Sequence, residues 1–234
     1  MLEWLQKLNI DLGESKQELF SKYINLFLEY NSKVNLISKN DEKVLFEKHI
    51  FDSLAINLFF KRFSINNNIK LLDIGTGGGF PSLPIALCFE NINVYALDSI
   101  AKKINFIKYA KEELKIENIH PICSRVEELP IENKNGFDVV TSRAMAELRL
   151  ILEYALPYVK ENGYFVAYKS LKAEDEIKNA QNALKVLNGK IIEKIEYSLP
   201  LEEENKRVLL IIQKTKRTPN QYPRQNGIVK KKPL

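Results

Sequence analysis

The chain has 234 residues, 45% of them hydrophobic and 28% charged, the balance of a folded globular protein and not of a disordered one. No apolar run reaches the roughly 18 residues a membrane span needs, because Glu90 interrupts Pro81–Leu97. The opening Met1-Leu-Glu-Trp-Leu-Gln-Lys lacks the pattern of a signal peptide, and Cys88 and Cys123 form no Cys-x-x-Cys pair. Secreted, membrane-spanning and disulfide-framework classes are thereby excluded. The cysteines are expected as buried small hydrophobes in a reducing cytoplasm.

In chain order, Leu19, Tyr23, Leu26, Phe27 and Tyr30 recur at helical spacing, as do Val44, Leu45, Ile50, Leu54 and Leu58. Asn66-Asn67-Asn68 is a polar break. Short apolar runs follow at 70–74, 93–97, 119–123, 137–141 and 164–168, separated by helix-like stretches, clearest at 102–114 and 148–159, the latter stopped by Gly163. Strands that do not alternate, set between helices, predict a parallel sheet covered on both faces. Lys190–Tyr197 and Arg207–Gln213 are strand-like with an acidic loop at Glu202–Glu204 between them, so the last two strands should pair antiparallel. From Lys206 to Leu234 there are nine Lys or Arg and no Asp or Glu, leaving 26 basic against 30 acidic side chains before it. This basic end is either a polyanion-binding arm, for nucleic acid or anionic lipid, or a solvated terminus. The organisation expected is a helical extension at 1–64, an α/β domain at 65–214 and a basic tail at 215–234.

The most specific motif is Leu71-Leu-Asp-Ile-Gly-Thr-Gly-Gly-Gly-Phe-Pro81 at a strand-to-helix turn. Gly75, Gly77 and Gly79 let backbone approach a ligand closely. A dinucleotide fingerprint wants glycine at position 80, where Phe80 stands, so an adenosyl ligand without a pyrophosphate suits the loop better than a nicotinamide dinucleotide. Asp98 closes the second strand, where a carboxylate can accept hydrogen bonds from ribose hydroxyls. Ser124-Arg-Val-Glu-Glu128 follows the third strand and reads either as an adenine seat, with Val126 against one face of the ring and polar groups at its exocyclic amine, or as a helix start capped by Ser124.

These stretches, with His49-Ile-Phe-Asp-Ser53, Leu97-Asp-Ser99, Lys102-Lys103, Ser142-Arg-Ala144 and Thr218-Pro-x-x-Tyr-Pro-Arg224, resemble the RsmG (GidB) family of small-subunit (16S) ribosomal RNA guanine-N7 methyltransferases over nearly the whole chain. Gly79-Phe-Pro-Ser82 stands where that family often reads Gly-Leu-Pro-Gly, and Ile100 replaces a usual small residue. The resemblance implies a Rossmann-like class I methyltransferase fold with a seven-stranded, mostly parallel sheet and an antiparallel last strand. It implies S-adenosyl-L-methionine as cofactor, held by Asp73, Gly75, Gly77, Phe80, Asp98, Val126, Glu127 and Arg143. It further implies ribosomal RNA or a ribosomal particle as partner, a cytoplasmic monomer, and no metal or membrane.

Guanine N7 carries an in-plane lone pair and needs no deprotonation, which suits a chain with two histidines, His49 and His120. Catalysis is then expected to be positioning. Arg143 is read as positioning the acceptor or cofactor, or as an ion pair with a carboxylate such as Asp73. His49 and Asp52, one turn apart, are read as the pocket rim or as a local structural contact, and His120 as structural. Lys102, Lys103, Lys169, Arg217, Arg224 and Lys230–Lys232 are candidate RNA contacts, and Tyr222 either stacks on a base or packs back onto the sheet. The alternatives are a methyltransferase of another RNA or a small molecule, a nicotinamide-dependent oxidoreductase, and a non-catalytic RNA-binding module.

Overall fold

In a computed structural model of the protein, which describes residues 2–65, 68–170, 173–200 and 202–234, the strands are β1 Ile69–Ile74, β2 Ile92–Asp98, β3 Ile119–Cys123, β4 Phe137–Arg143, β5 Val159–Ser170, β6 Gly189–Leu199 and β7 Glu202–Lys214. They form one sheet in the order β3-β2-β1-β4-β5-β7-β6. All neighbours from β3 to β5 pair in parallel, whereas β7 runs antiparallel to both β5 and β6. Adjacent strand residues feed opposite layers: Leu71, Val139 and Val166 enter one core, Leu72, Val140 and Phe165 the other. Each fully buried side chain of this size contributes roughly 1.5–3 kcal/mol of transfer free energy.

The first layer is built by the N-terminal helices, α1 Leu2–Gln6, α2 Glu14–Val34, α3 Lys39–Glu42, a π-helical stretch Leu45–Phe51, α4 Asp52–Leu54 and α5 Ile56–Arg62, together with α6 Ser82–Cys88 and α7 Ala101–Glu113. Phe20, Tyr23 and Phe27 of α2 and Phe59 of α5 are fully buried there. The opposite layer holds α8 Leu148–Ala155, α9 Ala173–Asn179, α10 Gln181–Leu187 and, from the chain's end, Tyr222 and the Val229 of α11 Asn226–Lys231.

Several sequence expectations are corrected. The eighth helix ends at Ala155: Leu156 keeps helical backbone (φ −60°, ψ −33°), but Pro157 has no N–H with which to continue the hydrogen-bond ladder. Gly163 therefore lies inside β5, where a Cβ would stand 2.7 Å from the Asp138 carbonyl oxygen. Glu202–Glu204 belong to β7 and not to a loop. Cys88 is buried but Cys123 is exposed, because it ends the edge strand β3. Residues 126–128 form a single 3-10 turn, and the Ser124 hydroxyl donates to the Arg125 carbonyl without capping it. Of the asparagine break, Asn66 and Asn67 lie outside the described residues. No helix among the described residues is long and apolar enough to cross a membrane.

Candidate active site

The glycine loop is tied to the end of β2 by its own backbone. Gly75 and Thr76 N–H both donate to the Leu97 carbonyl, at 2.8 and 3.0 Å. Gly77 N–H donates to Asp98 Oδ2 and Ile100 N–H to Asp98 Oδ1, each at 2.9 Å. Two backbone donors thus aim the carboxylate, and Lys103 Nζ stands 3.8 Å away. Gly79 has φ +92°, and a Cβ there would come 2.5 Å from Leu83 Cδ1, so both backbone and space demand glycine. Beneath the loop, Ser82 Oγ donates to Asp73 Oδ2 at 2.6 Å and Thr76 Oγ1 to Ser82 Oγ at 2.9 Å. Asp73 Oδ1 is buried without a partner, and burial pushes that carboxyl up to about 6.

A cleft of about 350 Å³ opens above this loop. Gly75, Asp98, Val126, Glu127 and Arg143 line it, with Met145, Leu150, Tyr154, Lys103 and Lys230. Asp73, Gly77 and Phe80 do not line it. Asp73 and Gly77 support it from below, and the Phe80 ring packs 5.2 Å from Phe27 and 5.0 Å from His49. Leu150 and Tyr154 of α8 also line the cleft, and no sequence signal marks them, because their helix reads as an ordinary amphipathic one. Lys103 and Lys230, candidate RNA contacts in the sequence, line this cleft.

A second cleft of about 500 Å³ adjoins the first and shares Arg143, Ala144, Met145 and Ala146 with it. Ala144 has φ +52°, a left-handed turn rare for a side-chain-bearing residue, and it places this segment between the two cavities. Arg143 is held on three sides. Its Nη1 donates to Asp52 Oδ2 at 2.9 Å and to the Lys48 carbonyl at 3.1 Å, its Nη2 to His49 Nδ1 at 2.9 Å, and its guanidinium lies 5.5 Å from the Phe80 ring centroid. The partner of Arg143 is therefore Asp52 and not Asp73. Tyr197 Oη donates to the other Asp52 oxygen at 2.6 Å, and burial beside that carboxylate raises the Tyr197 phenol well above its ordinary pKa. Burial and the Arg143 charge push His49 down to about 4. Lys169 also lines this cleft, bound to Glu176 at 2.6 Å and to the Ala146 carbonyl at 2.7 Å. His120 lies away from both clefts, its ring 4.7 Å from that of Tyr95.

The other expected RNA contacts divide. Lys102, Arg217, Lys231 and Lys232 are exposed. Arg224 is engaged inside the fold, donating to both oxygens of the fully buried Glu153 at 2.8 and 2.6 Å.

A sheet in this order, with a glycine loop and an acidic β2 end beside a cleft at the carboxyl edge, defines a Rossmann-like S-adenosylmethionine-dependent methyltransferase fold. A solved methyltransferase of that kind from Aquifex aeolicus shares it, with a TM-score of 0.51 at 18% identity over 66% of this chain and 87% of its own. A family model described as rRNA small subunit methyltransferase G matches residues 16–217. The chain is 40% identical to the ribosomal RNA small subunit methyltransferase G of Fusobacterium nucleatum subsp. nucleatum over 99% of its length and 97% of that protein, and 38% identical to the protein of the same name from Lysinibacillus sphaericus over 100% and 97%. The chain belongs to the rRNA small subunit methyltransferase G (GidB) family.

Proposed function

We propose that the protein transfers a methyl group from S-adenosylmethionine to N7 of a guanine in small-subunit ribosomal RNA, with the first cleft holding the cofactor and the second receiving the base. The observation that carries this reading is the pair of adjoining clefts divided by the Arg143–Ala146 wall. The residues of the first cleft fit the cofactor. Asp98 offers an aimed carboxylate to ribose hydroxyls, the glycine loop gives close backbone approach, and the orphaned Asp73 Oδ1 leaves negative potential beneath the loop for a cationic amino acid end. Val126 and Glu127 would take the adenine face and its amine. When bound, the cofactor supplies an electrophilic methyl group on a sulfonium.

The chain's own contribution is positioning and electrostatics. Nδ1 of His49 accepts from Arg143, so its proton sits on Nε2, and a ring with a pKa of about 4 is neutral at physiological pH. Neither nitrogen is free to take a proton, which suits an acceptor that carries none at N7. Arg143, held by Asp52, His49 and the Lys48 carbonyl, keeps the wall between the clefts in one place. Correct placement of two reactants can supply roughly 7–11 kcal/mol of the barrier.

The test is methylation of small-subunit RNA and particles by the purified protein, with digestion and mass spectrometry to locate the product. Appearance of 7-methylguanosine is expected. A methylated base of another kind, or none, would overturn the assignment.

A further inference from the structure

The last twenty residues are docked, and they reach the cofactor cleft. Thr218 Oγ1 donates to the Leu187 carbonyl at 3.1 Å, and Lys134 Nζ to the Tyr222 carbonyl at 2.6 Å. Tyr222 and Val229 are buried in the core beneath α8. Glu153 on that helix accepts from Arg224 three times, through its backbone N–H at 2.9 Å, its Nε at 2.8 Å and its Nη2 at 2.6 Å. A fully buried carboxylate with this bidentate partner fixes where α11 begins. One residue past Val229, the exposed Lys230 lines the cleft, as Tyr154 of α8 does, and its ammonium has no hydrogen bond or ion pair among the described residues.

We propose that the segment from Tyr222 to Lys231 is a wall of the cofactor cleft, that Lys230 is a cofactor-binding residue donating to a ring-nitrogen acceptor of adenine, and that Arg224 is its positioning residue. This rests on reading the cleft as the S-adenosylmethionine site. The chemistry is complementary at that end. Adenine presents one amine donor and several ring acceptors. Glu127 can satisfy the donor but has no proton to give, and Lys230 supplies donors without an acceptor. A neutralised Arg224 would leave Glu153 buried and unpaired, loosening the segment and with it the placement of Lys230.

The experiment is calorimetric titration of the full chain with S-adenosylmethionine and with S-adenosylhomocysteine, which lacks the sulfonium charge. Lys230→Met should weaken both ligands about five- to twentyfold, with the melting temperature of the ligand-free protein unchanged, and Lys230→Arg should restore most of the loss. Arg224→Ala should weaken both ligands and also lower the melting temperature. Bound cofactor should protect the peptide bond after Lys230 from trypsin. Wild-type affinity in Lys230→Met, while Asp98→Ala binds weakly, would overturn this inference and leave the cleft assignment standing. No measurable binding by the wild-type protein would overturn both. Full cofactor affinity in Lys230→Met with a flatter salt dependence of RNA binding would assign Lys230 to RNA instead.

Discussion

Arg143 Nη2 lies 2.9 Å from His49 Nδ1, and because a guanidinium can only donate, this contact fixes the histidine tautomer. The proton sits on Nε2, which is buried without a hydrogen-bond partner and 4.0 Å from Asp41 Oδ1. A histidine in a methyltransferase pocket invites the role of general base, and this geometry denies it.

The rate of methyl transfer should therefore carry no enzyme titration. Single-turnover rates at saturating RNA should be flat between about pH 6 and 9, with no base of matching pKa to reveal. A rise governed by one pKa and abolished in His49→Gln would assign the proton transfer to His49.

The same ring makes a signed prediction for stability. With His49 depressed from 6.5 to about 4 in the folded state, the unfolded chain binds the extra proton between those values, and stability falls as pH drops through that window. Asp73, raised from 3.8 to about 6 by burial, acts in the opposite sense over nearly the same range. Replacing His49 leaves the Asp73 contribution unopposed. Relative to wild type, His49→Gln should gain about 1–3 kcal/mol on going from pH 7.5 to 4.5. Denaturant unfolding at the two pH values measures it, and an equal difference at both would refute the assignment.

Asp98→Ala removes a carboxylate aimed by two backbone donors. Cofactor affinity should fall ten- to a hundredfold, a loss of about 1.5–3 kcal/mol. Titration calorimetry on wild type and variant decides it, and equal affinities would remove Asp98 from the ribose.

Asp52 receives both the Arg143 guanidinium and the Tyr197 hydroxyl. Asp52→Asn leaves the largely buried Arg143 charge uncompensated, at a cost of about 3 kcal/mol. Melting should drop by about 6–12 °C for a chain of this size. Thermal denaturation followed by circular dichroism checks it, and methyl transfer should fall more than cofactor affinity because Arg143 anchors the shared wall.

Charge at the chain's end can be separated from its docking. Changing Lys216, Arg217, Lys231 and Lys232 to Gln removes exposed cations and spares Tyr222, Arg224 and Val229. If each cation meets one phosphate, the slope of log RNA affinity against log salt should flatten by about 3 units, with cofactor affinity unchanged. An unchanged slope would place the RNA contact elsewhere.

The sheet and the glycine loop were legible because their causes are local. Uninterrupted apolar runs such as Val94–Leu97 mark buried strands, and glycines at 75, 77 and 79 mark the turn. The contact of the Phe80 ring with Phe27 joins positions 53 apart, which no local pattern announces. The Glu153–Arg224 pair spans 71 positions and was hidden for the same reason, so a docked segment read as a basic tail. The π-helical stretch Leu45–Phe51, which orients His49, has apolar spacing that an α-helix would also show.

A partition of four residues, Arg143–Ala146, has one cavity on either side. Thermodynamic linkage then couples their occupants. If filling the first cavity shifts this partition and thereby tightens the second ligand by some factor, filling the second must tighten the first by the same factor. Whatever the two occupants are, the free energy of filling both cavities is the same by either route. Met145, 42% exposed, is one of the four residues of that partition and lines both cavities.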